Sequence, residues 1–213
     1  MKKMKKMFNK KIISPKVEEQ MQFYGKYYDA MFDAKTTVIN HIYSTSNEDG
    51  RRSFEYCISR IKSVDSVKRK LERKGFEISP EAAIRDINDA VGVRIICGFL
   101  SDLHYLADSL KNNEKFKVVK IKDYITHPKE NGYRSYHIVL KVETIKNMLI
   151  PVEIQIRTIS QDAWANLEHK IKYKKEVKNE KLIREELKRC ADEMASTDIS
   201  MQTIKELIEE SEK

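Results

Sequence analysis

No glycine-rich loop interrupts this chain. Its six glycines, at positions 25, 50, 75, 92, 98 and 132, are scattered, and neither G-x-x-x-x-G-K-[ST] nor G-x-G-x-x-G occurs. If the protein binds a nucleotide, side chains must hold the phosphates. Cysteine is scarce as well. Cys57, Cys97 and Cys190 lie far apart with no C-x-x-C pair, which excludes a disulfide framework and suits a reducing cytoplasm. No apolar run approaches the roughly 18 residues of a membrane helix. The N-terminal MKKMKKMFNKKIISPK is basic but has no apolar stretch, so no secretory signal is expected. H-E-x-x-H is absent. Ser59-Arg60-Ile61-Lys62 fits the S-x-x-K of serine–lysine acylases, but S-D-N and K-T-G are missing, and the match is read as chance.

What is present is a soluble globular composition. Hydrophobic residues make up 40% and charged residues 35% of 213 positions, enough for one domain with a real core. The net charge of +8 is uneven. Residues 1–16 hold seven lysines and no acid, which leaves 34 basic against 33 acidic residues elsewhere. Arg51 to Lys74 carries nine basic and three acidic residues, and 176–213 reverses the balance with seven against eleven. A uniform nucleic-acid coat is excluded, and a localised anion site is favoured. Residues 1–16 read as a solvated, disordered tail, with RNA or acidic lipid as the alternative contact. The remainder divides into a main domain over 17–175 and a helical extension over 176–213.

The hydrophobic periodicity changes along the chain. Residues 17–46 read as helical, with Val17, Met21, Tyr24, Tyr28, Met31 and Phe32 at steps of three and four, and 53–74 read as a second helical region ended by Gly75. Ala90–Phe99 is an apolar strand candidate, Leu103–Leu110 a helix. Phe116–Lys122, Ser135–Val142 and Leu149–Arg157 follow as strands. From Ser160 onward the pattern is helical. Ile183, Leu187, Cys190, Met194, Thr197, Met201, Ile204 and Ile208 form a heptad-like stripe, which serves equally as a self-association seam or as packing on the parent domain. The fold class is α/β (α+β): a mixed sheet of about five strands with flanking helices.

Several groups carry chemistry. Lys62, Ser66 and Lys70 share one face of an expected helix from Arg60 to Lys74, with Arg69 and Arg73 nearby. That stripe suits a polyphosphate, or a solvated basic face. Asp89 stands at the mouth of an apolar strand that Arg94 interrupts. A strand-interior arginine is paired or lines a cleft. In Val152-Glu153-Ile154-Gln155-Ile156-Arg157, period 2 places Glu153, Gln155 and Arg157 on one face, as a polar cleft floor or an exposed sheet face. Asp89 and Glu153 together suit Mg²⁺, which takes one or two carboxylates plus substrate phosphates. The loop from Lys122 to His137 is dense in polar and aromatic groups, with Tyr133 just past an Asn131-Gly132 turn. Trp164, Glu168 and Lys172 share a helix face, and Trp164 reads as a core anchor.

Taken together, R-I-K-S-V-D-S-V-K-R-K (60–70), D-A-V-G-V-R (89–94), K-D-Y-I-T-H-P-K-E-N-G-Y-R-S-Y-H (122–137), V-E-I-Q-I-R-T (152–158) and W-A-N-L-E-H-K-I-K-Y-K (164–174) resemble, in order, the synthetase domain of the RelA/SpoT homologue family. The layout is similar to its small alarmone synthetases of the RelQ type. The resemblance implies a nucleotidyltransferase-like fold and transfer of pyrophosphate from ATP to the 3′-hydroxyl of GDP or GTP. It implies Arg60 and Arg94 around the adenine, and Lys62, Ser66, Lys70 and Arg73 on the ATP phosphates. Asp89 and Glu153 would bind Mg²⁺, with Glu153 as the base. Tyr133 would stack on the acceptor guanine, with Lys122, Lys129, His137 and Gln155 completing the acceptor side.

Departures from the family pattern are few. Ser59 stands where the family often has glycine. No His-Asp pair of the family's hydrolase domain occurs, so product hydrolysis is not expected. A homotetramer and allosteric (p)ppGpp are implied by the RelQ type, although only Tyr56 lies near the matching aromatic position. Two further functions compete: pyrophosphorylation of the tRNA 3′ end, as in related toxins, and an inactive RNA-binding regulator. The presence of Arg60, Asp89, Arg94, Tyr133 and Glu153 together weighs against the last.

Overall fold

A computed structural model describes residues 14–45, 50, 52–172 and 179–212. Most of the expected tail and the start of the expected extension lie outside those residues. Twelve elements follow in the order α1 (Pro15–Tyr24), α2 (Lys26–Ser44), β1 (Tyr56–Ile61), α3 (Val64–Lys74), α4 (Pro80–Arg85), β2 (Val91–Cys97), α5 (Leu100–Lys111), β3 (Phe116–Asp123), β4 (Tyr136–Glu143), β5 (Leu149–Thr158), α6 (Ile159–Lys172) and α7 (Glu180–Ser211). The strands form one sheet in the order β1-β2-β5-β4-β3, with β2 and β5 parallel and the other pairs antiparallel. The mixed α+β architecture expected from the sequence is the one found.

The sheet has two unlike faces, because strand side chains alternate. Val91, Val93 and Ile95 of β2, Val152, Ile154 and Ile156 of β5, and Ile138, Leu140 and Val142 of β4 are fully or almost fully buried. They share one core with Met31, Ala34 and Val38 of α2 and Leu103, Leu106 and Leu110 of α5. The other face carries Arg94, Glu153, Gln155, Arg157 and His137, and it holds the candidate site. The apolar face fixes the register that the polar face uses, since a slip by one residue would exchange them.

Two elements differ from the sequence reading. The expected helix over 17–46 is two helices broken at Gly25, whose φ of +53° ends α1 and whose N–H donates to Met21 O. Glycine takes that conformation without strain. Its last turns reach Ser44, and α1 begins at Pro15, inside the stretch read as tail. The expected helical region over 53–74 begins instead with strand β1, so Arg60 stands on a strand and only Ser66, Lys70 and Arg73 stand on the helix. The steps Ile61, Val64, Val67 and Leu71 imitate a helix across the junction. Ile61 in fact closes β1, and Val64, Val67 and Leu71 bury the inner side of α3. β1 pairs only with β2; burial alternates along it, but its exposed side carries the apolar Tyr56 and Ile58 and its inner side the polar Ser59, so hydropathy does not alternate.

The C-terminal stripe divides. Ile183, Leu187, Cys190 and Met194 are partly buried, while Thr197, Met201, Ile204 and Ile208 are exposed.

Candidate active site

Sheet register assembles the cleft. Lys122 of β3, His137 of β4, Gln155 of β5, Arg94 of β2 and Ile58 of β1 pair in one row, and Val139, Glu153, Gly92 and Arg60 pair in the next. Lys122 reaches its row through a bulge: the β3–β4 register shifts between Val118 and Lys120. The extra residue turns the lysines onto the site face and returns Ile121 to the core side, opposite Ile138. A cleft lined by Arg60, Asp89, Gly92, Arg94, Glu153 and Gln155 opens on the β1 side. Gly92 gives it a flat floor, with Arg60 Cγ 3.8 Å from where a Cβ would stand.

A lysine–carboxylate cluster sits at the mouth of this cleft. Both Lys62 and Lys70 donate to Asp89, the latter at 2.6 Å. Burial alone would raise the Asp89 carboxyl, but the two lysines outweigh it and hold it below the usual carboxylate range. The junction carrying Lys62 is pinned by α1. Gln20 Nε2 donates to Ile61 O at 2.8 Å, and the Tyr24 hydroxyl donates to Lys62 O at 3.0 Å, both from buried side chains. Ser66 accepts from the Ser63 hydroxyl at 2.8 Å. Arg73 is exposed in the last turn of α3, and Arg69 turns back to Asp65 O. The structure therefore joins Lys62, Lys70 and Asp89 and leaves Arg73 at the rim.

An aromatic cluster forms the other side. The rings of Tyr124, Tyr133 and His137 meet edge to face at 5.3–5.9 Å between centroids. Lys129 Nζ lies 4.7 Å from the Tyr133 centroid and 4.8 Å from that of Tyr124. Arg157 Nη2 donates to the Tyr133 hydroxyl at 2.8 Å. That hydroxyl stands 2.9 Å from His137 Nε2. With Arg157 donating, the phenol passes its own proton toward Nε2, which leaves the imidazole proton on Nδ1. Burial, then the charges of Arg157, Lys129, Lys122 and Arg94, pull His137 down to about 3, so the ring is neutral.

Asp162, in the first turn of α6, ties the two sides together. Its Oδ1 accepts from Arg157 Nη1 at 2.9 Å and from Arg94 Nη1 at 3.3 Å. Its Oδ2 accepts from Asn166 at 2.9 Å and from the Tyr56 hydroxyl at 3.2 Å. Arg157 and Asp162 are both buried, and a buried guanidinium needs such a partner. Arg94 is a third exposed toward the cleft. Burial, reinforced by the charge of Arg157, lowers it below an ordinary arginine. Alternation placed Arg157 on the cleft face, but no sequence signal pointed to Asp162, Gln20 or Tyr24, because the contacts of each cross from one element to another and follow no periodicity. Trp164 is buried as expected, with Nε1 donating to Leu187 O at 2.7 Å, and Glu168 on the same helix accepts from Asn131 at 3.0 Å. Among the described residues no group of three or more His, Cys, Asp or Glu side chains forms a metal cage.

Comparison with known proteins identifies the family and the fold. Residues 59–178 match the family model described as the region found in RelA/SpoT proteins. GTP pyrophosphokinase YwaC of Bacillus subtilis (strain 168) is 41% identical over 180 residues, covering 83% of this chain and 85% of that protein. The crystal structure of small alarmone synthetase 2 from Bacillus subtilis is 38% identical, with a TM-score of 0.69 over 89% of this chain and 97% of that one. Small alarmone synthetase 1 from the same organism, bound to its product pppGpp, is 29% identical, with a TM-score of 0.74 over 90% of this chain and 98% of that one. The matched segment contains the strand pair, the lysine cluster and the aromatic loop just described, and the chain belongs to the RelA/SpoT family.

Proposed function

We propose that this protein is a GTP diphosphokinase that moves pyrophosphate from ATP to the 3′-hydroxyl of GDP or GTP, making (p)ppGpp and AMP. The observation that carries the reading is the pair of sheet rows. They bring Arg60, Gly92 and Glu153 beside Arg94, Gln155, His137 and Lys122, with Asp89 and its lysines at the mouth. Arg60 and Arg94 offer planar guanidinium faces to the adenine. Lys62 and Lys70 hold the donor phosphates, with Ser66 and Arg73 at the edge. Tyr133 receives the acceptor guanine, which displaces Lys129 from its place over the ring. Lys122, His137 and Gln155 line the acceptor side. The relative solved with pppGpp supports guanosine polyphosphates as the ligand class.

The chemistry is an in-line displacement. The 3′-oxygen forms a bond to the β-phosphorus of ATP, the bond from that phosphorus to the α,β-bridging oxygen breaks, and AMP leaves with the electron pair. Glu153 accepts the proton of the 3′-hydroxyl, without which that oxygen is a poor nucleophile. Positioning and charge neutralisation supply most of the acceleration in such transfers. Asp89 and Glu153 fit Mg²⁺: two carboxylates in one cleft beside a lysine cluster that favours phosphate. When bound, Mg²⁺ supplies charge neutralisation at the transferring phosphates. On ATP binding, Lys62 and Lys70 exchange Asp89 for phosphate oxygens. Product hydrolysis is not part of the reading, since no His-Asp pair occurs. The exposed Met201, Ile204 and Ile208 support self-association, which analytical ultracentrifugation tests.

The deciding experiment is thin-layer chromatography of γ-³²P-ATP incubated with protein, Mg²⁺ and, separately, GDP, GTP, GMP or tRNA. Label on a guanosine nucleotide, lost in Glu153→Gln, is the expected result. Label on tRNA alone moves the chain to the toxin branch, and no transfer from folded protein overturns the enzyme reading.

A further inference from the structure

Helix α7 contributes no side chain to the sheet rows of the cleft, but it touches the loop that carries Tyr133. The contact is at Gly132. Its φ of +87° is open to glycine, and a Cβ there would stand 2.5 Å from Ala191 Cβ and 3.4 Å from Lys188 Cα. Loop and helix therefore meet with no room for one more atom. Arg134 closes the joint. Its Nη1 donates to Gly132 O at 3.1 Å and to Ala191 O at 3.3 Å, and its Nη2 donates to Asp192 Oδ1 at 3.0 Å. Ala191 is buried on a helix that is otherwise mostly exposed.

The helix is itself held on both sides of this joint. Leu187 O accepts from Trp164 Nε1 on α6 at 2.7 Å. Asp198 Oδ2 accepts from the Thr158 hydroxyl, at the end of β5, at 2.7 Å. Gln202 Oε1 accepts from Ser101 N, at the start of α5, at 3.0 Å. Three anchors on three elements fix where Ala191 and Asp192 stand.

We propose that α7 is a strut for the acceptor site, with Ala191 and Asp192 as positioning residues that place Gly132 and Arg134 and, between them, the Tyr133 ring. The identity of the ligand rests on the function proposed above; the geometry does not. The donor groups stand on other elements, β1, β2 and α3, so the strut acts on one substrate.

The test is Ala191→Leu, which adds three carbon atoms where one would already collide, together with Asp192→Ala on the exposed side of the helix. KM for GDP rises at least tenfold in Ala191→Leu and two- to threefold in Asp192→Ala. KM for ATP stays within twofold in both. Calorimetric binding of GDP and of a non-hydrolysable ATP analogue shows the same split. A general structural role would lower the number of competent sites and leave both KM values in place. A folded Ala191→Leu with unchanged KM for GDP, or with both KM values raised together, overturns the proposal. If Ala191→Leu does not fold, Asp192→Ala decides on the same criterion. A wild-type chain that binds GDP but transfers nothing defeats the functional reading, and the binding split still judges the strut. A chain that binds no GDP overturns both.

Discussion

On the proposed reading, the arginines that would face adenine and the tyrosine that would receive guanine are held by different means. Arg94 and Glu153 stand on strands whose buried faces lock their register, Arg60 on β1, which pairs along its whole length with β2, and Lys62 follows directly from β1. Tyr133 stands on a loop. Its place depends on Asn131 reaching Glu168, on Gly132 meeting Ala191, and on Arg157 reaching its hydroxyl. A strand places a catalytic group through the same alternation that buries the core, so position and stability come together. A loop must obtain position from side chains elsewhere, which leaves it adjustable.

Substitutions test that contrast, beginning with the largest effect. Glu153→Gln lowers kcat by about a thousandfold, the scale of a lost general base. Its fold and nucleotide binding persist, because the register of β5 is set by Val152, Ile154 and Ile156 on the opposite face. Calorimetry beside single-turnover assays separates the two. Tyr133→Ala raises KM for GDP by about thirtyfold, the worth of one aromatic–base stack, and leaves KM for ATP alone. Arg60→Ala does the reverse, at about tenfold on ATP. If either variant moves both KM values equally, the division into two sides is wrong.

Asp162→Asn crosses the division. It releases Arg94 and Arg157 together, so both KM values rise about fivefold. It also leaves Arg157 buried without its counter-charge, at a cost of about 3 kcal/mol read from urea midpoints. The smallest effect concerns pH. His137 is neutral in the folded chain, with its pKa depressed to about 3, and binds a proton more readily when unfolded. The stability this gives is present above the unfolded value, about 6.5, and falls as pH drops from there toward 3. The slope is at most about 1.4 kcal/mol per pH unit. Between pH 6.5 and 5, urea midpoints of the wild type fall, and His137→Asn flattens that decline.

The sequence made the strand-borne groups legible for a physical reason. Alternation in 152–157 is local, and it put Glu153, Gln155 and Arg157 on one face, where the structure has them. It misled at 53–61, because this edge strand puts the apolar Tyr56 and Ile58 on its exposed side and so hides its alternation in the hydropathy. Ile61, Val64 and Val67 then carried the helical spacing backward. The stripe Lys62, Ser66, Lys70 at steps of four led to both lysines even though Lys62 precedes the helix, since both converge on Asp89. Gln20, Tyr24, Asp162 and Ala191 were not legible. Their partners lie from five to more than fifty positions away along the chain, and no periodicity encodes which one is met.

The carboxylate of Asp162 is shared by Arg94, which on the proposed reading faces ATP, and by Arg157, which is bonded to Tyr133, the ring proposed to receive the acceptor. Two ligands that draw on one buried charge form a closed thermodynamic cycle. The factor by which a bound ATP analogue changes the affinity for GDP must then equal the factor by which GDP changes the affinity for the analogue. Whether that factor exceeds one or falls below it decides whether the enzyme fills its cleft in concert or in alternation, and Asp162→Asn measures the share of it that this buried side chain carries.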